Sequence, residues 1–251
     1  MIKNFIVDRL VRGNMYDHKD GELLWSLNQI QNPSLSMESE SVDAVDALGT
    51  PIMSFDRSKT CTFSAENAIF DISLLGEQMG TEAVSGTRTI PAFESLEVSG
   101  GKATLAHVPE GEVAYIYALN NDGSLGTQYK LGTTASATEF AINAKEITVP
   151  TTVKAGDRIF VSYEYQGTAT YVVNSANDFP KAGKFVMEVL GRDVCDATTE
   201  VYAMLVLPNA KLSASTEVSF DTEMTQGFEL TAQQDYCSKN NELFTLIIPE
   251  D

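Results

Sequence analysis

The chain has 251 residues, 35 acidic against 17 basic side chains, and a formal net charge of −18, with an isoelectric point near 4.4. Folding a chain of this length buries roughly 70% of the surface that its extended form exposes, so a substantial core is available without disulfides or metals. The acidity argues against a nucleic-acid reader, which must neutralise phosphates, and fits a solubilising surface or one that repels polyanions.

Met1–Gly13 carries a short apolar stretch broken by Asp8 and Arg9. That is neither a signal peptide nor a spanning helix, and secretion through a cleaved signal is not expected. Leu23, Leu24 and Trp25 lead to Leu35-Ser-Met-Glu-Ser-Glu-Ser41, where Leu35 and Met37 alternate with polar residues as in a strand with one acidic face. Gly49 and Pro51 then keep Val42–Ile52 from forming a long helix and predict an extended loop or hairpin. In Lys59-Thr-Cys-Thr-Phe63, Cys61 and Phe63 face one way and the threonines the other. A helix is predicted from a Ser64 cap to about Met79, with Ala65, Ala68, Ile69, Ile72, Leu75 and Met79 as its apolar stripe and Gly80 as its stop.

Thr81–Thr89 reads as a loop and Pro91–Val98 as a strand. Val113–Leu119, Thr127–Leu131, Glu139–Ile142, Glu146–Val149 and Arg158–Tyr165 follow as strands, with an Asn120-Asn-Asp-Gly123 turn whose residues tolerate positive φ. Lys154–Asp157 and Gln166–Thr168 mark the ends of the tyrosine-rich strand. The last third is a β-meander of Lys184–Leu190, Val201–Leu207, Leu212–Phe220, Phe228–Ala232 and Leu243–Ile248, broken at Gly191–Asp193, Pro208–Asn209, Thr225–Gly227 and Ser238–Asn241. One convincing helix among so many strands predicts a mainly β fold, a β-sandwich or partly closed barrel with one flanking α-helix.

Little in the chain resembles reactive chemistry. Cys61, Cys195 and Cys237 are an odd set without metal-ligand spacing and are expected to be reduced structural thiols, as in a protein folded in cytosol. His18 and His107 have no partner spacing, and a surface or hydrogen-bonding role is favoured over catalysis. Asp17-His-Lys-Asp-Gly-Glu22 lacks the third- and twelfth-position ligands of a calcium loop and reads as a turn. Glu38, Glu40, Asp43 and Asp46 could form a metal site or an acid/base pair, but strand alternation spreads them into a solvated acidic rim. No nucleophile elbow, phosphate loop or zinc motif occurs, so no catalytic residue, metal or cofactor is assigned.

The order Pro33-Ser-Leu-Ser-Met-Glu-Ser-Glu40, an acidic loop, and Lys59-Thr-Cys-Thr-Phe-Ser-Ala-Glu-Asn-Ala-Ile-Phe-Asp-Ile-Ser-Leu-Leu75 is followed late by Phe179–Leu190 and Tyr202–Lys211. This order resembles the major tail tube proteins of long-tailed, siphovirus-like bacteriophages. The resemblance implies a single tail-tube-like β domain over 1–251, with 91–165 as an elaboration or inserted β subdomain. It implies rings, usually hexameric, whose inner strands join into a continuous barrel and which stack into a tube that delivers DNA. Glu38 and Glu40 are then lumen-lining candidates, and Asp43, Asp46, Leu48 and Pro51 are candidates for a loop reaching an adjacent ring. Implied partners are further copies of the chain, tape-measure, tail terminator and baseplate proteins; DNA passes unbound, and no membrane is involved. Assembly in the host cytoplasm and residence in the virion tail are implied as well. A non-catalytic β-sandwich adhesion or capsid-decoration protein of a virion is the alternative, and a glycan- or peptide-cleaving enzyme is disfavoured because no acid/base pair is identifiable.

Overall fold

The computed structural model describes residues 4–196, 198–215, 218, 222, 224–235 and 241–249. Strand accounts for 59% of it and helix for 3%. Two compact units divide the chain, one from Met1–Ala83 with Val172–Asp251 and the other from Val84–Tyr171.

The first unit begins with β1 (Phe5–Asp17), β2 (Leu23–Leu27), β3 (Ile30–Val45), β4 (Pro51–Asn67) and the short helix α1 (Ile72–Gln78). The second holds β5 (Val84–Glu97), β6 (Lys102–Thr104), β7 (Tyr115–Leu119), β8 (Leu125–Leu131), β9 (Glu139–Asn143), β10 (Glu146–Thr148) and β11 (Arg158–Tyr171). The chain then returns to the first unit as β12 (Ala182–Asp193), β13 (Glu200–Leu212), β14 (Gln226–Ala232) and β15 (Thr245–Ile247).

In the first unit one antiparallel sheet runs in the order β2-β1-β12-β13-β14-β4-β3, with β15 also on β13. Period-two alternation aims Phe185, Met187 and Val189 of β12 and Ala203, Leu205 and Leu207 of β13 at one core, which Met15, Trp25, Phe63, Phe228 and Leu230 complete. Four rings knit that core: Trp25 lies 5.7 Å from Phe185 and 5.6 Å from Phe228, and Phe63 lies 5.3 Å from Phe185. Offset and tilted pairs at these spacings contribute beyond the area they bury. The predicted runs appear in β12 to β15, but β12 and β13 continue through the expected breaks at Gly191–Asp193 and Pro208–Asn209, because Arg192 pairs with Glu200 and Ala210 and Lys211 pair with Gly183 and Ala182, and β15 lies on β13 and not beside β14. Much of the Leu212–Phe220 run and the Ser238–Asn241 turn lies outside the described residues.

The helix differs from expectation. Ser64 does not cap it: β4 continues to Asn67 because Thr62–Asn67 pairs with β14 on one side and with β3 on the other. Cys61, Phe63 and Ala65 alternate inward along that strand. An apolar spacing that also suits a helix lost to two ladders of backbone hydrogen bonds. The helix starts four residues beyond Ala68, capped by Asp71, whose carboxylate accepts from the Ser73 and Leu74 N–H groups at 2.8 and 2.9 Å. Its buried anchor is Leu74, with no exposed surface, whereas Ile69 of the expected stripe is 59% exposed. The expected stop at Gly80 holds: its φ is +74°, and a Cβ there would lie 2.4 Å from the Phe179 backbone.

The second unit's sheet has the order β5-β11-β7-β8-β9-β10-β6, with β8 and β9 parallel, and it is nearly closed into a barrel. Leu105, Ile116, Phe140, Ile147, Ile159 and Val161 fill it. The Asn120–Gly123 turn forms as expected, with the Gly123 N–H on Asn120 O and the Asn120 N–H on Ser124 O, both at 2.9 Å. Two expectations fail here for one reason. Val84–Thr89, read as loop, is strand, and β11 does not stop at Gln166–Thr168 but runs to Tyr171, because the two segments pair without interruption from Arg158↔Glu97 to Tyr171↔Val84. Each satisfies the other's backbone where neither has a strong strand pattern.

Cys61 is buried and packed as expected. Cys195 is exposed, so it is not a core thiol; it follows the end of β12, its N–H on the Asp193 carboxylate. Cys237 lies outside the described residues.

Candidate functional site

Beyond the core, β3 and β4 continue as a two-stranded arm. Every residue from Ser36 to Thr60 is exposed, although backbone pairing runs unbroken in direction from Met37↔Cys61 to Val45↔Pro51. The local sequence explains both facts. Serines, threonines and charges occupy the arm's base, so neither face brings the apolar stripe that would pull it onto a core, while β-branched and aromatic residues near the tip hold an extended backbone.

The tip is built around Asp46. Its carboxylate accepts from the Leu48 and Thr50 N–H groups, each at 2.8 Å, while its own N–H donates to Thr50 O at 2.9 Å. Gly49, at φ +84°, supplies the left-handed step. Those N–H donors, Thr50 foremost and then Leu48, hold the Asp46 carboxyl below the usual carboxylate range.

Alternation separates the arm's two faces. Leu35 packs against the core cluster, so Ser36, Glu38, Glu40, Val42 and Ala44 stand on the opposite, outer face. Glu38 lies across from Thr60 and Glu40 from Ser58, whose hydroxyl donates to the Glu40 carboxylate at 3.3 Å. Toward the tip this same face becomes apolar, with Val42 opposite Phe55 and Ala44 opposite Met53.

The structure therefore brings Glu38 and Glu40 together as neighbours on one face. Of the loop candidates, Asp46 and Leu48 occupy the tip turn, and Leu48 is 91% exposed. Asp43 belongs to β3, where it accepts from the Ser54 hydroxyl, and Pro51 opens β4. Of the two readings of Val42–Ile52, extended loop or hairpin, the structure has the hairpin; sequence reading missed the apolar outer patch of Val42, Met53 and Phe55, because it did not set the two strands in register. Their β-branched and aromatic character, on both sides of a Gly49-containing turn, was the available signal.

Other candidates carry less. His18 is exposed in the Asp17–Glu22 turn. His107 stacks on Tyr165 with ring centroids 3.8 Å apart. The Tyr163 hydroxyl beside it donates to the Glu94 carboxylate, and burial first, that bond second, push Tyr163 up to about 12. Both arrangements pin the 105–110 loop, where the Ala106 N–H also reaches Glu94 at 3.1 Å. Among the described residues no group of three or more His, Cys, Asp or Glu side chains is placed to hold a metal ion, and no helix is long and apolar enough to cross a membrane.

Compared with known proteins, the chain matches over residues 5–242 the family model described as the YomU/Tube protein family. No curated protein matches it.

Proposed function

The chain belongs to the YomU/Tube protein family, a phage-associated family of tube proteins, and we propose that it is the major tail protein of a long-tailed, siphovirus-like phage. Copies close into rings, usually hexameric in such tails, and the rings stack into the tube through which DNA leaves the virion. The observation that carries this reading is the family match along nearly the whole chain; the solvent-exposed arm, whose β3 edge pairs with no further strand among the described residues, supports it. A two-stranded ribbon alone is marginally stable in water, and a long free edge is an aggregation hazard unless another chain pairs with it.

Glu38 and Glu40, side by side on the outer face, are assigned to the channel wall, and the tip with Asp46 and Leu48, flanked by Asp43 and Pro51, to contact with the adjacent ring. Charge distribution supports a wall to which DNA does not adhere. Residues 84–171 hold nine acidic and six basic side chains, which leaves 26 acidic and 11 basic in the remainder of the chain, the part that bears the arm. An anionic wall repels a polyanion, whereas adhesion requires cationic groups that release counterions. The tube then needs a tape-measure protein to set its length, a terminator to end it and a baseplate to start it, assembled in the host cytoplasm and retained in the virion.

Electron microscopy of the purified protein, and of particles that contain it, tests the reading. Rings or tubes with a channel of DNA width are expected, and at side-chain detail Glu38 and Glu40 face that channel. A protein that stays monomeric and is absent from tails overturns the tube; one that instead coats preformed capsids is a decoration protein.

A further inference from the structure

Among the described residues of the first unit, two of the strand edges without a partner match. The edge of β3 that faces away from β4 pairs with no strand among the described residues. From Ser34 to Val45 that edge is regular, because the extra residues within this stretch, Arg57 and Ile52, both sit on β4. The second open edge is on β1. There β2 covers only Gly13–Tyr16, so Phe5–Arg12 pairs with β12 on one side and with no strand on the other among the described residues. Val7–Val11 of this edge and Asn28–Pro33 line an open groove of about 720 Å³.

Charge and facing select how the edges combine. Leu10 packs on the core and pairs with Val189, while Arg9 and Arg12 take the register positions to either side, opposite Leu190 and Glu188, because Val11 is bulged. Both arginines therefore stand on the sheet's outer face, at consecutive positions. Glu38 and Glu40 stand on the same outer face of β3 with the same spacing. Arg9 and Arg12 are exposed, and no ion pair joins either to a carboxylate among the described residues.

We propose that β3 of one copy adds to the Phe5–Arg12 edge of β1 in the next, with Glu38 and Glu40 beside Arg9 and Arg12. Opposite charges on neighbouring strands stabilise a pairing and like charges oppose it. The symmetric alternative, β3 against β3, sets carboxylates against carboxylates, and β2, Leu23–Leu27, offers no basic side chain. Bulges at Asp8 and Val11 bend the β1 edge and disfavour indiscriminate pairing, which leaves the charge match to select the partner. A contact between two different surfaces of one chain repeats head to tail, and so closes into a ring or winds into a filament. This inference rests on the self-assembly reading above and names the joint; with these two pairs formed, the first unit still carries 24 acidic against 9 basic side chains, and that excess, not Glu38 and Glu40 alone, keeps its surface negative.

The full-length protein tests it. Assembly is followed by sedimentation and negative-stain imaging, and the folding of each variant by its thermal transition. The double reversals E38R/E40R and R9E/R12E should each raise the concentration needed for assembly roughly tenfold, and the four-site exchange that swaps both pairs should restore it. As a second readout, E38C and R12C proteins, each also carrying C195S, are mixed and oxidised, and peptide mass spectrometry should find residue 38 linked to residue 12. Reversal variants that assemble like the parent, a four-site exchange that melts normally but does not assemble, or links between two copies of residue 38 would overturn the joint. In those cases the parent protein still forms tubes, and the proposed function stands. A parent protein that never assembles overturns both.

Discussion

Leu74 and Asp46 show how differently single residues matter here. Leu74 is the point at which α1 enters the core, with no exposed surface. Leu74→Ala should cost about 2–5 kcal/mol, transfer and cavity terms together, read as a lower denaturant midpoint. Asp46 stabilises only the arm tip. Asp46→Ala should abolish hydrogen-exchange protection at the Leu48 and Thr50 amides while leaving the global transition in place, because no residue from Ser36 to Thr60 is buried. The pH dependence follows in sign. The Asp46 carboxyl titrates below its ordinary value, so the order it lends the tip is complete above that ordinary value and is lost as pH falls through the depressed one. Amide protection at Leu48 and Thr50, corrected for intrinsic exchange, should decline over that acid range and nowhere else. The aspartate was legible as a polar loop residue. Its role as the acceptor of two backbone N–H groups was not, because that depends on Thr50 turning back over it.

Among the elements, the arm is expected to be separable from the stability of its subunit. Replacing Ser41–Arg57 with a two-residue Asn-Gly turn removes only exposed side chains and supplies a favoured hairpin connection. The variant should melt within a few degrees of the parent by calorimetry and should form no tubes; retained tube formation would remove the arm from assembly. The elements also show what residue patterns can and cannot convey. The strands β12, β13 and β14 were readable because each carries its own alternation of large apolar residues. The end of β4 and the start of α1 were misplaced because Ala65, Ala68, Ile69 and Ile72 satisfy a helical spacing, whereas the partners that make Thr62–Asn67 strand, Ile30–Ser36 on one side and Gln226–Thr231 on the other, lie elsewhere in the chain. The first half of β5, Val84–Thr89, and the end of β11 were missed for the same reason: each is held mainly by the other.

For the whole molecule, the second unit leaves and rejoins the chain at one place, because Val84 and Tyr171 are paired neighbours. Opposed residues of an antiparallel pair lie about 5 Å apart at Cα. Joining Ala83 to Val172 through a short Gly/Ser linker should therefore leave the first unit folded, with its own cooperative transition in calorimetry and its tube-forming capacity intact. Loss of the first unit's transition would show that its folding depends on residues 84–171. By itself the sequence determined the mainly β class, the single helix, most of the strands and an acidity that argues against nucleic-acid recognition, because alternation and composition are properties of consecutive residues. Only the tertiary structure decided that every residue from Ser36 to Thr60 of the arm is exposed, that β1 and β3 keep edges without a strand partner among the described residues, and that Arg9 and Arg12 share an outer face with Glu38 and Glu40. Those facts depend on which strand lies beside which: the arm pairs within its own hairpin, but β1 and the base of β4 are placed by β12 and β14, more than a hundred residues away, which no local pattern shows.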